Sequence, residues 1–245
     1  MKIDFLGTSH GVPMPGRHYQ SICIETEKGT YLVDAGAPVM DCLINRKYDL
    51  TKINAVFVTH VHNDHIVGLM DMVMLASWYY KEMAFDIYMP EQRGVDAVEG
   101  YCNILLHGKS SSDKISYKPV KEGVIFNDGN LKVTAVPTSH MEATTNVAYG
   151  YLLEADGKRV YITGDMHPSL KDFPSRVLSE PVDVLISECA HFSAEALIEK
   201  LATVNAQKVM VVHVFPLDKY DVLEQYAKES PFELLLPRDG DNIVL

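Results

Sequence analysis

Four side chains that can bind metal ions lie within one short stretch of the chain: His60, His62, Asp64 and His65. An apolar run at residues 56–58 directly precedes them and predicts a buried strand that leads into the motif. If the strand stays extended, His60 and His62 lie on the same face, whereas Asp64 and His65 follow a turn and can point at a second centre. Clustered imidazole and carboxylate groups can hold two metal ions that activate water for hydrolysis. The motif therefore predicts a metal site, in preference to a polar loop that contains several histidines.

Polar residues also follow strand-like runs in the rest of the chain, namely Asp34, His140, Asp165 and His213. Taken singly, each has a simpler explanation, such as a loop histidine, a turn acid or, for Asp34, a helix cap. Strand ends that converge bring such side chains to one edge of the sheets, which is the usual place for a site in layered α/β folds. We therefore expect these residues to join the first cluster.

The elements that must position these residues form two similar halves. Strand patterns alternate with helix patterns, and helices are predicted at residues 39–45, 66–80, 95–106, 194–202 and 219–228. This order predicts an α/β fold, an αββα sandwich in which two sheets lie between helices. Residues 107–112 are predicted to form a polar loop that connects elements or closes over a phosphate. Met and aromatic residues enrich the helix at 66–80, and on an exposed face they would form a homodimer interface or a wall of the substrate site.

The composition indicates one globular domain over residues 1–245. The chain has 47% hydrophobic and 22% charged residues, and no linker, repeat or low-complexity tract divides it. The first residues read as a strand and not as a signal peptide, no apolar run is long enough for a transmembrane helix, and the cysteines are scattered. These features predict a cytoplasmic protein with reduced thiols, in which Cys189 is a buried structural thiol.

The charge balance bears on the partners of the protein. The net charge is −11 and the chain has no basic run, which argues against an extended nucleic-acid surface. A small substrate that contains phosphate is still compatible with this charge, because two divalent ions would make the site locally positive.

The ordered set of histidines and aspartates resembles the ligand set of the metallo-β-lactamase superfamily, and the resemblance extends over the whole chain. It implies two divalent ions, zinc in the first place with manganese or iron as alternatives, and a metal-bridging hydroxide that acts as the nucleophile. The implied ligands are His60, His62 and His140 for the first ion, Asp64, His65 and His213 for the second ion, and Asp165 as the bridge. Asp34 is similar to the carboxylate that orients a histidine ligand in this superfamily.

Within the superfamily, the pattern is most similar to ribonuclease Z and its smaller phosphodiesterase relatives. The opening motif at residues 5–13 and the pair Glu188 and His191 carry this likeness. The likeness implies that Glu188, His191 and Asp64 act in catalysis. A carboxylate-backed imidazole can donate a proton to a departing alkoxide or stabilise charge on the phosphate. The simpler alternative is that Glu188 and His191 only cap a helix that begins near Ser193.

One departure from ribonuclease Z affects the predicted substrate. Ribonuclease Z carries a long arm that binds transfer RNA, and this arm is inserted in the sequence between the third histidine ligand and the bridging aspartate. In this chain, the interval from His140 to Asp165 is largely filled by two predicted strands. The chain is therefore predicted to be a metal-dependent hydrolase of a small phosphodiester, such as a cyclic phosphate or a short nucleotide. The alternatives are a hydrolase of a thioester, lactone or other acyl substrate, a di-iron reductase of oxygen or nitric oxide, and a non-catalytic metal-dependent binding module.

Overall fold

The structure, a computed structural model, describes residues 1–106, 114–144 and 146–245, so the polar loop predicted at 107–112 lies outside the described residues. The strands form two seven-stranded sheets. In spatial order, the first sheet contains β14 (Asn242–Val244), β1 (Lys2–Gly7), β2 (Ser21–Glu25), β3 (Thr30–Val33), β4 (Ile53–Phe57), β5 (Phe85–Met89) and β6 (Ile115–Pro119). The second sheet contains β13 (Glu233–Leu235), β12 (Ala206–Val214), β11 (Val182–Cys189), β10 (Lys158–Ile162), β9 (Ala148–Ala155), β8 (Lys132–Thr138) and β7 (Gly123–Asn127).

The helices in the described residues are α1 (Val39–Asn45), α2 (Asn63–Trp78), α3 (Gln92–Leu105), α4 (Ser175–Leu178), α5 (Ala194–Leu201) and α6 (Lys219–Ala227). Their apolar sides cover the outer faces of the two sheets, with α1 to α3 on the first sheet and α4 to α6 on the second. No helix in the described part of the chain combines the length and the apolar character that crossing a membrane requires.

Three apolar layers hold the sheets and helices together. In β2, Ile22 points into the layer between the two sheets, while the next residue, Cys23, points into the layer under α1 to α3. In β12, Met210 likewise points between the sheets and Val211 points into the layer under α4 to α6. This alternation follows from the two-residue period of a strand. The three layers confirm the predicted αββα sandwich.

Parallel strands at the centre of both sheets determine where polar residues collect. β3 to β6 pair in parallel in the first sheet, and β10 to β13 pair in parallel in the second. The carboxyl ends of parallel strands meet at the same edge of a sheet, where sites of α/β folds form. Asp34 follows β3, Asp165 follows β10, and Glu188 lies near the end of β11. The topology therefore brings polar residues from both sheets to one edge of the sandwich.

Some boundaries differ from the predicted ones where they matter for the site. β4 ends at Phe57, so His60 and His62 lie in the following loop and not on an extended strand. α2 begins earlier than predicted, at Asn63, and the last two residues of the motif therefore belong to its first turn. β12 extends beyond the predicted end, so that His213 lies inside the strand and not after it.

The edge strands β6, β7 and β14 and the short helix α4 are not predicted by the local sequence pattern. β14 pairs antiparallel with β1 from the opposite end of the sequence, and β6 pairs in parallel with β5, whereas β7 forms a hairpin with the next strand, β8. Periodicity in a short window does not contain that information.

Candidate metal centre

Three histidines from two loops, together with one aspartate, form the first group of donors. His60 Nε2 lies 2.9 Å from His62 Nδ1, and His140 Nε2 lies 3.2 Å from the same His62 atom. Asp165 Oδ2 lies 3.5 Å from His60 Nε2 and 3.7 Å from His140 Nε2. Burial holds the pKa of His60 well below its ordinary value, so its ring stays neutral and keeps a lone pair. One donor atom from each residue lies within 4.8 Å of the others, a spacing that suits a single cation.

The second group of donors comes from a helix and a strand. Asp64 and His65 lie in the first turn of α2, and His213 lies in β12. Asp64 Oδ2 is 3.1 Å from His213 Nε2 and 3.4 Å from His65 Nε2. All three side chains are buried, and their donor atoms also lie within 4.8 Å of one another. This group can therefore surround a second cation.

Asp165 lies between the two groups. Its Oδ2 is 3.6 Å from His65 Nε2 and its Oδ1 is 3.8 Å from His213 Nδ1, in addition to its contacts with the first group. Burial raises the pKa of Asp165, but the neighbouring histidines outweigh burial and hold this pKa well below its usual range. Gly164 has a φ of 59°, and a Cβ there would lie 2.6 Å from the Tyr149 carbonyl oxygen, so the turn that presents Asp165 requires glycine.

Asp34 contacts His65 of the second group on the side of the ring away from the other donors. Its Oδ2 lies 2.7 Å from His65 Nδ1, and its Oδ1 accepts a hydrogen bond from the backbone N–H of Thr59 at 2.8 Å. Asp34 has a φ of 60°, a left-handed conformation that is uncommon for a residue with a Cβ and is typical of functional sites. The contact favours a proton on His65 Nδ1, so Nε2, which lies beside Asp64 and Asp165, is the atom that would bind a cation.

The donor chemistry at this point fits a divalent cation. His65 Nε2 is buried and has no hydrogen-bond partner within the described structure. Burial lowers the pKa of His65, yet the negative charges of Asp165 and Asp34 outweigh burial and raise it well above its ordinary value. The two carboxylates thus stabilise positive charge beside His65 Nε2, and a divalent ion would supply that charge. Imidazole and carboxylate donors suit Zn²⁺, Mn²⁺ or Fe²⁺.

Glu188 and His191 lie beside the two groups. His191 Nδ1 is 2.8 Å from Glu188 Oε1, and His191 Nε2 is 3.8 Å from Asp165 Oδ2. Burial lowers the pKa of His191, but the hydrogen bond and charge of Glu188 outweigh burial and raise it to about 9. Glu188 therefore favours the protonated form of the ring. The N-cap of α5 is Ser193, whose Oγ accepts the N–H of Ala196, so this cap does not involve Glu188 or His191.

The loop after β1 also reaches the site, although the sequence alone assigns it no role there. His213 has a φ of 53°, and its backbone N–H donates to the carbonyl of Thr8 at 2.9 Å. His10 is buried, with its ring centroid 5.9 Å from that of His213 and 4.0 Å from that of Phe215. The motif at residues 5–13 is the sequence signal for this loop, but the contact with β12 depends on the fold.

Two further predictions concern residues away from the donors. Cys189 is buried in the layer under α4 to α6, and burial raises the pKa of its thiol to about 12, as expected for a structural thiol. The exposed aromatic residues of the α2 region, Trp78, Tyr79 and Tyr80, lie at the end of that helix. A helix rises by about 1.5 Å per residue, so these rings lie far from Asp64 in the first turn. The homodimer, for which they could supply a surface, stays a prediction.

Comparisons with known proteins identify the family to which the chain belongs. The chain matches the family described as Anti-Pycsar protein Apyc1 over residues 1–221. It is 32% identical to ribonuclease BN of Cronobacter sakazakii over 162 residues, which make up 64% of this chain and 51% of that protein. It is 33% identical to ribonuclease Z of Listeria monocytogenes over 144 residues, which make up 57% of this chain and 46% of that protein. The chain thus spans about half the length of these curated relatives.

Among solved structures, the metallo-β-lactamase fold protein YhfI of Bacillus subtilis is similar to the chain with a TM-score of 0.77 and 19% sequence identity, over 99% of this chain and 98% of that chain. This agreement confirms the predicted fold, and the ribonuclease relatives confirm the predicted likeness to ribonuclease Z. Because the family match extends over residues 1–221 of 245, the chain belongs to the family of the anti-Pycsar protein Apyc1.

Proposed function

We propose that this protein is a dinuclear metal-dependent hydrolase of a small phosphodiester. The observation that carries the proposal is the convergence of two groups of histidine and aspartate donors, with Asp165 beside both. When bound, the two ions, zinc in the first place, would supply an ionised water as the nucleophile and positive charge for the phosphate. The proposed ligands are His60, His62 and His140 for one ion, Asp64, His65 and His213 for the other, and Asp165 for both.

Two aspartates have separate tasks in this proposal. Asp64 contacts both His65 and His213, so its carboxylate would act in catalysis as part of the second metal site. Asp34 would not contact an ion, because His65 and Thr59 already occupy its two oxygens. Its task is to orient the ring of His65, and such supporting carboxylates tune metal affinity.

His191 is the group that can donate a proton to the substrate. The hydrogen bond and charge of Glu188 raise the pKa of His191 to about 9, which favours the protonated ring, and its side chain is 28% exposed, so a substrate can reach it. Glu188 and His191 also lie within 4.8 Å of two of the proposed ligands. However, the Glu188 carboxylate already accepts the backbone N–H groups of Met166 and Ala190 as well as His191 Nδ1. We therefore assign the pair to proton donation to the departing alkoxide or to charge stabilisation on the phosphate.

The short sequence interval between His140 and Asp165 supports the proposal that the substrate is small. Its described residues form β9 and β10 with short connections, an arrangement that leaves little chain for an arm that could grip a transfer RNA. The net charge of −11 is likewise unfavourable for an extended nucleic-acid surface. The ribonucleases among the relatives favour a phosphodiester as the bond that is cleaved. We therefore propose a cyclic phosphate or a short nucleotide as the substrate, bound by a single domain over residues 1–245.

Metal analysis combined with hydrolysis assays tests this proposal. We expect the purified protein to bind two divalent ions per chain and to hydrolyse bis-p-nitrophenyl phosphate and nucleoside cyclic phosphates. Asp165→Ala should abolish both properties, whereas Asp221→Ala, which changes an exposed aspartate on α6, should preserve them. Metal binding without cleavage of any phosphodiester would overturn the substrate class, and cleavage of thioesters or lactones would then favour an acyl hydrolase. Protein that binds no divalent ion would overturn the proposal as a whole.

A further inference from the structure

The ammonium group of Lys219 binds three backbone carbonyl groups that surround His191. Lys219 is the first residue of α6, and its Nζ donates to the carbonyl oxygens of Cys189 at 3.0 Å, Ala190 at 3.0 Å and Phe192 at 2.5 Å. An ammonium group has three N–H donors and no acceptor. The three carbonyls therefore use its whole donor capacity.

Glu188 binds the same loop through groups of the opposite polarity. The backbone N–H groups of Ala190 and His191 donate to its Oε2 at 2.8 Å and 3.2 Å, and its Oε1 lies 2.8 Å from His191 Nδ1. The loop between β11 and α5 has no ladder or helix to satisfy its backbone groups. Buried backbone groups need such partners, so a carboxylate on one side and an ammonium group on the other define the loop conformation.

The segment that carries Lys219 also connects the two parts of the site. β12 contains His213, and only a short connection separates the end of β12 from the start of α6. Within that connection, the backbone N–H of Phe215 donates to the carbonyl of Cys189 at 3.4 Å. The His191 loop is thus held against the segment that follows a donor of the second group.

We propose that Lys219 is a positioning residue for His191. Its ammonium group holds residues 189–192 in the conformation in which His191 Nε2 faces Asp165. This inference rests on the proposed function, in which His191 acts on the phosphodiester. A compact ammonium group can meet three convergent carbonyls, whereas the planar guanidinium of arginine meets fewer of them and methionine offers no donor.

A double-mutant cycle with Lys219→Met and His191→Ala tests the inference. On a phosphodiester substrate, Lys219→Met should lower kcat by about 10- to 100-fold with KM nearly unchanged, because a displacement of about 1 Å in a catalytic group can cost that much. The double variant should be no slower than His191→Ala alone, since Lys219 acts only through His191. Losses that multiply in the double variant would overturn the inference.

Hydrogen exchange separates a positioning effect from a general loss of structure. Lys219→Met should accelerate exchange of the Ala190 and His191 amides while metal content stays at the wild-type level, and unchanged exchange at both amides would overturn the inference. Lys228→Met is the matched control, because Lys228 lies at the other end of the same helix, where its Nζ contacts Gln225. It should change neither kcat nor amide exchange.

Two further results keep the inference distinct from the proposed function. If Lys219→Met does not fold, Lys219→Arg takes its place, because it keeps the charge and part of the hydrogen bonding and should show the same pattern with a smaller loss. If the wild-type protein cleaves no phosphodiester, or if His191→Ala keeps full activity, the proposed function fails. The exchange experiment then still decides whether Lys219 holds the loop.

Discussion

The two donor groups are presented by different kinds of backbone. The histidines of the first group lie in the loops that follow β4 and β8, and His62 is exposed. The residues of the second group lie in the first turn of α2 and inside β12, and none is more than 6% exposed. Behind the second group, Asp34 connects His65 to Thr59. The second group is therefore held by regular elements and is the more deeply buried of the two.

This difference suggests a division of labour between the groups. Ligands that are held by regular elements and by a supporting carboxylate keep their geometry when an ion leaves, which favours tight binding. Ligands in loops at the solvent boundary allow a substrate to approach. We infer that the second group would hold its ion more tightly, while the first group would lie on the side from which the substrate enters.

The largest expected effect follows from removing a ligand of the second group. His65→Ala should weaken binding of the second ion by more than about 100-fold, because loss of a residue that only supports a ligand already costs about 10- to 100-fold. His62→Ala should weaken the first ion and leave the second ion bound. Calorimetric titration of metal-free protein with Zn²⁺ measures both affinities. Equal losses at both sites in each variant would contradict the separation into two groups.

A smaller effect is expected from Asp34→Asn, which changes the residue behind His65 without removing a ligand. The amide can turn its NH₂ group towards His65 Nδ1 and thereby shift the ring proton to Nε2, the atom that should bind the ion. We expect a loss of about 10- to 100-fold in affinity for the second ion, with the first ion unaffected.

Asp49→Asn is the matched control for Asp34→Asn. Asp49 also accepts a backbone N–H, that of Thr51 at 3.1 Å, but in an exposed turn. This variant should bind both ions normally. An Asp34→Asn protein with wild-type affinity for the second ion would show that Asp34 has only a structural task.

Residue types and spacing suffice to predict that the proposed ligands meet in this site, but not that His10 joins them. The strand does not stay extended through His60 and His62, because β4 ends at Phe57. Their nitrogen atoms nevertheless converge, because two histidines this close in sequence can face one point from a loop as well as from a strand. The prediction therefore tolerates an error in the strand boundary, since it depends on the residue pattern more than on the local conformation.

Contacts between distant parts of the chain could not be predicted in this way. The left-handed backbone of His213 is accompanied by a hydrogen bond to Thr8, at the other end of the sequence. The three carbonyls around Lys219 meet it only after the fold brings the start of α6 to the end of β11 and the loop that follows it. Periodicity and propensity describe local preferences, so they identify α6 as a helix but not what its first side chain binds.

The smallest expected effect is a difference in the rates at which the two ions leave. A chelator should reach the first group sooner, because His62 is exposed and the second group is buried. Rapid mixing of the two-metal protein with EDTA should give two phases that differ several-fold in rate. His62→Ala should remove the fast phase, and Asp34→Asn should accelerate the slow one. A single phase that neither variant changes would contradict this difference between the groups. It would mean that the two ions leave together, because Asp165 contacts both groups.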